Sequence, residues 1–400
     1  MLNTKFSPWP SFSEEEANAA SRVLLSNKVN YWTGQEGREF EKEFAHFSDS
    51  KHAIAVANGT LALDLALVAL NIGARNGGCS SDEVIVTSRT FLASASSIVT
   101  AGATPVFADV DFNSQNITAA TISAVLSENT KGIICVHLAG MPCEMDEIMS
   151  FAKAHELLVI EDCAQAHGTK YKGQAVGAIG DIGCWSFCQD KIMSTGGEGG
   201  MVTTNNESLW KKMWAYKDHG KSWDAIYNKS HPPGFRWLHE SFGTNWRLTE
   251  MQSAIGRIQL TKMPDWFDKR NNNARLIENS LVKFSCIRLV NIPDYIEHAQ
   301  YKYYAFVNTD RLSESWDRDR IVNEVNALGV PCFQGSCSEV YLEKAFDNTN
   351  FRPENPLPVA KILGETSLMF LVHPTLTLAE ITLMCSVIEN VLASACSNKN

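Results

Sequence analysis

Short apolar runs alternate with helix-like stretches through the first half of the chain. HAIAVANG, DEVIVTSRTF, TPVFADVD, KGIICVHLAG and LLVIEDCAQAHG each read as a buried strand that ends near a polar or glycine-bearing turn. Apolar runs without in-out alternation suit strands covered on both faces, and the spacing between them suits right-handed crossovers of a parallel sheet. The pattern therefore predicts an α/β architecture with ligands gathering beyond the carboxyl ends of the strands.

Helix signals fill the gaps. SFSEEEANAASRVLLSN opens on Ser13 as a cap with acids in its first turn, and ends near Asn27. Phe40, Phe44 and Phe47 recur at helical spacing and are expected in the core. A helix follows the turn at Asn58, Gly59 and Thr60, and another spans about Met145 to His155. Trp185, Phe187 and the MVTT run are strand-like. Beyond them, TNWRLTEMQSAIGRIQL ends as an amphipathic helix, and a long charged helix from about Met263 leads to a second region. There YKYYAFVN reads as a strand, ESWDRDRIVNEVNALG as a helix, and the chain closes on a strand, a turn at Pro374 and a last helix. The expected division is a large domain over 1–260, whose N-terminal helix is free to pack on the other unit, and a small domain over 261–400.

A chain of 400 residues with 44% hydrophobic positions has enough material for that arrangement. A net charge of -10 argues against general affinity for nucleic acid or an anionic membrane. No uninterrupted apolar stretch approaches a membrane span, and no basic-then-apolar leader is visible, so a cytoplasmic protein is expected. The eleven cysteines show no CxxC pair of zinc spacing and read as reduced thiols; Cys332 and Cys337 lack a histidine that would suggest a metal.

Candidate chemistry gathers between Leu157 and Gly200. Asp162 ends an apolar run, and Lys191 follows beside a serine and a glycine-rich turn. An acid, an amine and phosphate donors are what a pyridoxal phosphate site requires. Each has a plainer reading: Asp162 as a helix cap, Lys191 as a solvated surface residue, and Asn58 or Thr60 as a simple cap. Strand alternation turns Glu161 away from Asp162, so one of the two carboxylates faces the site. Phe91, leaving a strand end, suits either loop packing or stacking on a flat ring.

The combination of EDCAQAHG, SF…K…GGEGG, the NGT-AL turn and TNWRLTEMQSAIGRIQL resembles the DegT/DnrJ/EryC1/StrS sugar aminotransferases. The likeness is close over roughly 30 to 260 and looser beyond. It implies fold type I of the pyridoxal phosphate enzymes: a mostly parallel seven-stranded sheet flanked by helices, with a smaller C-terminal α+β domain.

By that resemblance Lys191 binds the aldehyde of pyridoxal 5'-phosphate and moves the substrate proton. Asp162 partners the ring nitrogen and Gln165 the ring hydroxyl, while Phe91 stacks on the ring. Gly59, Thr60 and Ser186 fall on phosphate contacts, and Asn245 on a residue reaching the neighbouring subunit's phosphate, which implies a homodimer with active sites at the interface. His219 and Arg247 are candidates for substrate contact. The implied reaction moves an amino group from L-glutamate to a nucleotide-linked ketosugar in deoxyaminosugar, O-antigen or polysaccharide biosynthesis. A dehydratase of the same family carries histidine where this chain has Lys191. A noncatalytic regulator on this scaffold has no basic face to support it, and a nicotinamide enzyme would need the missing GxGxxG.

Overall fold

The computed structural model describes residues 6–397. The first five positions of the leader reading, and the last three of the expected small domain, lie outside the described residues. Five strands run in order as β1 (His52–Val56), β2 (Glu83–Thr87), β3 (Thr104–Ala108), β4 (Thr130–Val136) and β5 (Leu158–Asp162). A small ribbon of β6 (Lys170–Tyr171) and β7 (Gln174–Ala175) precedes β8 (Ile182–Ser186) and β9 (Gly200–Thr204). The large sheet has seven strands ordered β1-β9-β8-β5-β4-β2-β3, with β9 antiparallel to both neighbours and the other pairs parallel.

Both faces of this sheet are buried, as the apolar runs required. Ile85, Ile133 and Val159 belong to one core, while Val86, Ile134 and Ile160 face the other. The helices of this half are α1 (Glu14–Ser26), α2 (Glu36–Phe47), α3 (Gly59–Ala69), α4 (Ala93–Thr100), α5 (Ala119–Ser123), α6 (Met145–Ala154), α7 (Glu207–Lys217) and α8 (Trp223–Tyr227). Ser13 and Glu16 cap α1 reciprocally, which satisfies two first-turn donors. Phe40 and Phe44 are fully buried and Phe47 packs beside them, so the predicted apolar stripe of α2 is core.

Two helices were expected on either side of Met263; one is found. α9 (Glu250–Leu281) runs unbroken through Pro264. Proline removes one backbone donor, but burial along the whole length holds the helix together. Met263 and Trp266 pack with the large-domain aromatics, and Ile277 and Leu281 enter the C-terminal core. The expected division at 260/261 thus falls inside this helix. α1 lies against its first half, with Ala19 and Val23 meeting Ala254.

The C-terminal region holds β10 (Ile287–Leu289), β11 (Ile296–Glu297), β12 (Tyr303–Val307), α10 (Arg318–Ala327), β13 (Cys332–Phe333), α11 (Pro358–Thr366), β14 (Ser367–Phe370) and α12 (Leu378–Ala395). Its antiparallel sheet is ordered β10-β12-β14-β13, while β11 pairs back onto β6. α12 is apolar enough to cross a membrane by length and composition, yet Met384, Ile388, Val391 and Leu392 are buried in this core. It is a packed core helix.

One cysteine reading is overturned. Cys286 and Cys396, 110 residues apart in sequence, form a disulfide with Cα atoms 5.4 Å apart. Spacing along the chain could not reveal it, because folding alone places the end of α12 beside the turn after α9. The other nine cysteines are thiols.

Candidate active site

The parallel strands end on one side, and the residues singled out in the sequence collect there. Asp162, the last residue of β5, is 7% exposed and pairs in register beside Cys184 of β8. Its Oδ2 accepts from Ser94 Oγ at 2.8 Å and its Oδ1 from the Ala164 amide at 3.2 Å. Burial raises the pKa of this carboxyl, while Ser94, Ala164 and the charge of Lys191 pull it back. Among the described residues no cation is in direct contact with this carboxyl, which suits a protonated ring nitrogen as its partner.

Glu161 faces the opposite side, as alternation predicted. Its carboxylate takes His137 Nε2 at 3.0 Å and the amides of Gly177, Ile179 and Gly180 at 2.9, 2.9 and 2.6 Å. The Cys143 amide donates to His137 Nδ1 at 3.1 Å, so Nε2 carries the proton directed at Glu161. Burial alone would raise Glu161; its donors outweigh that and hold it below the ordinary value. Cys163 lies close to this pair, but the nitrogens and oxygens that a metal would need are spent on these bonds.

The turn into α3 has the form of an anion cradle, a helix start with free backbone amides. Asn58 Oδ1 accepts the Leu61 amide at 2.9 Å and its carbonyl accepts that of Ala62, which leaves the amides of Gly59 and Thr60 pointing out of the helix. Ser186, ending β8, sits against this turn. A Cβ on Gly59 would stand 2.6 Å from Ser186 Cβ, and one on Gly200 would stand 2.4 Å from the Asn58 carbonyl oxygen. Glycine is therefore needed on both sides for the strand ends and the helix start to meet.

Lys191 lies in a loop closed by Phe187 and Gly199, and by Gln189 and Gly197, through backbone hydrogen bonds. Trp9 Nε1 donates to its carbonyl at 2.8 Å. Its Nζ is 3.0 Å from Asp190 Oδ2, which also accepts the Tyr301 hydroxyl at 2.6 Å. Gln165 Oε1 accepts the amide of Ala139 at 2.8 Å, made possible by a left-handed φ of 58° at Ala139. With its oxygen so occupied, Gln165 presents its NH2 as the remaining donor. Phe91, 72% exposed, stands just before α4 on the same side of the sheet.

Asn245, His219 and Arg247 lie on paired strips at 216–220 and 244–247, which adjoin the end of β1: Arg247 bridges Val56, and the Ala57 amide donates to the Trp246 carbonyl at 2.9 Å. Asn245 bridges Asp218 through the backbone and is exposed; the exposed His219, at φ 59°, donates its amide to Thr244. Arg247 meets a carboxylate of its own chain, pairing with buried Asp218, which also takes Trp32 Nε1 at 2.8 Å and Lys221 Nζ at 3.1 Å. Sequence reasoning passed over Ser94, His137, Ala139, Gly200 and Tyr301. Gly200 alone carried a visible signal, the GGEGG run, read as a glycine-rich turn beside Lys191 without its contact to the Asn58 turn.

A family model described as the DegT/DnrJ/EryC1/StrS aminotransferase family matches residues 10–389. The chain belongs to this family. Its members are pyridoxal phosphate-dependent aminotransferases of fold type I, and pyridoxal 5'-phosphate is the cofactor that the Asp162, Lys191 and Gly59 geometry fits. Among curated relatives, GDP-perosamine synthase of Caulobacter vibrioides is 36% identical, covering 90% of this chain and 92% of that protein. UDP-N-acetyl-3-dehydro-alpha-D-glucosamine 3-aminotransferase of Acidithiobacillus ferrooxidans is 35% identical, covering 98% and 96%. The crystal structure of an aminotransferase from Psychrobacter cryohalolentis superposes with a TM-score of 0.94 at 64% identity, covering 97% of this chain and 99% of that one.

Proposed function

We propose that this family member transfers the amino group of L-glutamate to a nucleotide-linked ketosugar, a 4-keto-6-deoxy or 3-keto hexose, toward a deoxyaminosugar of a polysaccharide. What carries the reading is the Lys191 amine and the Asp162 carboxylate on one side of the sheet, in a chain 36% identical to a GDP-perosamine synthase. Relatives named for UDP- and dTDP-linked sugars support the same substrate class.

When bound, pyridoxal phosphate supplies an electron sink for the bonds at the reacting carbon. Lys191 Nζ would hold the cofactor's aldehyde at rest; displaced from it by the donor's amine, the freed Nζ would take the proton from the donor's α-carbon and later return one to the sugar carbon, so that one amine, alternating as base and acid, serves both half-reactions. Asp162 offers its carboxylate to the ring nitrogen, and Ser94 orients it. Gln165 donates its amide to the ring hydroxyl, and Phe91 lays its ring against the cofactor face. The Gly59 and Thr60 amides and the Ser186 hydroxyl bind the phosphate. Exposed Asn245 reaches the phosphate of a second copy, so the working unit is a homodimer, and the location is cytoplasmic. His219 and Arg247 border the substrate from that same strip.

Purified protein should show the visible absorption of a lysine-bound cofactor, lose it on adding glutamate, and lack it in Lys191→Ala. A panel of nucleotide 3-keto and 4-keto sugars should then identify the acceptor. If glutamate leaves the spectrum unchanged while a ketosugar loses a hydroxyl, the protein is a dehydratase and the proposal is wrong.

A further inference from the structure

Two lysines share one tyrosine ring. Lys191 Nζ lies 5.5 Å from the Tyr301 ring centre and Lys302 Nζ 4.8 Å from it. Beside them Arg270, 1% exposed, uses Nη1 on the carbonyls of Gln300 and Tyr301 at 3.4 and 3.3 Å. Its Nε and Nη2 have no hydrogen-bond partner among the described residues. The Trp9 ring lies 5.1 Å from it.

The charges around this point do not balance. Asp190 is the carboxylate at hand, and it is already shared between Lys191 and the Tyr301 hydroxyl. His167 and His373, both close enough to feel Arg270, are pushed by burial to about 3 and are neutral. Burial, then Arg270 and Lys191, push Lys302 down to about 8, with Asp190 opposing. Glu278 lines the same cleft as Lys302, yet makes no ion pair with it among the described residues. Cations withdrawn from water without matching anions are costly, and an anion bound between them would offset that cost.

Lys302 opens onto the cleft between the two domains, whose wall includes Ala139 and Gln300. Ala139 is the residue bonded to Gln165, so the cleft adjoins the cofactor site. We propose that Lys302, backed by Arg270, is an anion subsite beside Lys191 that binds the carboxylate of the amino-acid donor. The inference rests on the aminotransferase reading. Both substrates carry anionic oxygens, as carboxylate or as diphosphate, and position separates them. The donor's carboxylate is one bond from the carbon whose proton Lys191 takes. The diphosphate of a sugar nucleotide is separated from the reacting carbonyl by the sugar ring. A lysine on the same tyrosine ring as Lys191 therefore fits the carboxylate.

The test uses cofactor-loaded protein and calorimetric titration with glutarate, a dicarboxylate that has no amine to react, and with UDP. Lys302→Gln and Lys302→Met should keep the visible absorption of the lysine-bound cofactor and weaken glutarate about 10- to 100-fold, the scale of a lost hydrogen bond to a charged group. UDP binding should be unchanged, and Lys302→Arg should recover part of the glutarate affinity. In single turnovers with glutamate, the apparent dissociation constant should rise more than the limiting rate falls. In wild-type protein, which needs no variant to fold, glutarate and UDP should bind together. Equal glutarate affinity in wild type and variants overturns the proposal, as does displacement of glutarate by UDP. Wild-type protein inert to glutamate would instead sink the aminotransferase reading itself, so the two failures are distinguishable.

Discussion

Ser94 Oγ donates to Asp162 Oδ2 at 2.8 Å, tying the first turn of α4 to the last residue of β5. The carboxyl's folded pKa is raised by burial above its ordinary 3.8. A raised value means that the contribution to stability is present below the ordinary pKa and lost as pH rises through the folded one. Cofactor-free Asp162→Asn should therefore melt above the cofactor-free wild type near neutral pH, with the gap closing in acid. The same variant should bind pyridoxal phosphate more weakly in a fluorescence titration. Ser94→Ala, which raises the carboxyl further, should lose affinity about tenfold, as for a hydrogen bond to a charged group.

Gly200 has no room for a side chain, since its Cβ would stand 2.4 Å from the Asn58 carbonyl oxygen. Gly200→Ala should push β9 away from the α3 turn and cost about 1–3 kcal/mol in denaturant unfolding, the range for overpacking. Inorganic phosphate should protect the variant's melting temperature less than the wild type's. Equal protection would show that the turn does not bind phosphate.

The buried Glu161 gives the opposite pH sign from Asp162. Its folded value is lowered by His137 and the Gly177 and Gly180 amides, so its contribution is present above the ordinary 4.5 and is lost as pH falls through the folded value. His137→Leu removes one charge-assisted donor and leaves three amides. The expected loss is about 1.5–3 kcal/mol at neutral pH, with the difference from wild type shrinking in acid. Chemical denaturation at a series of pH values reads both.

The disulfide predicts thiol chemistry. Intact protein should titrate nine thiols after unfolding without reductant, and eleven with it. Cys286→Ser should lower unfolding free energy by about 2–5 kcal/mol, because the bond closes a long loop in the unfolded chain. Eleven thiols in both conditions would return all the cysteines to the reduced state.

Much of the large domain was legible because its physics is local. A strand buried on both faces must be apolar throughout, so HAIAV, EVIVT and LVIED could be placed without knowing their partners. The cap at Ser13 and the turn at Asn58 were equally plain. The separate helix expected from about Met263 is instead the second half of α9, which continues through Pro264 because burial in two separate cores outweighs one missing hydrogen bond. Ser94 was passed over because a serine in a helix of small residues has no sequence mark distinguishing it from its neighbours Ser96 and Ser97.

By itself the sequence determined the alternation of strands and helices, the family motifs, and the types of group available: an amine at Lys191, an acid at Asp162, glycines around both. These follow from residue chemistry and short-range periodicity. Tertiary structure decided which groups meet. It set Asp162 against Ser94 and turned Glu161 to His137, joined Cys286 to Cys396, and brought Arg270 and Lys302 beside Lys191. Each of those relations spans tens to hundreds of residues. Burial and electrostatic balance act through space, where distance along the chain carries no information.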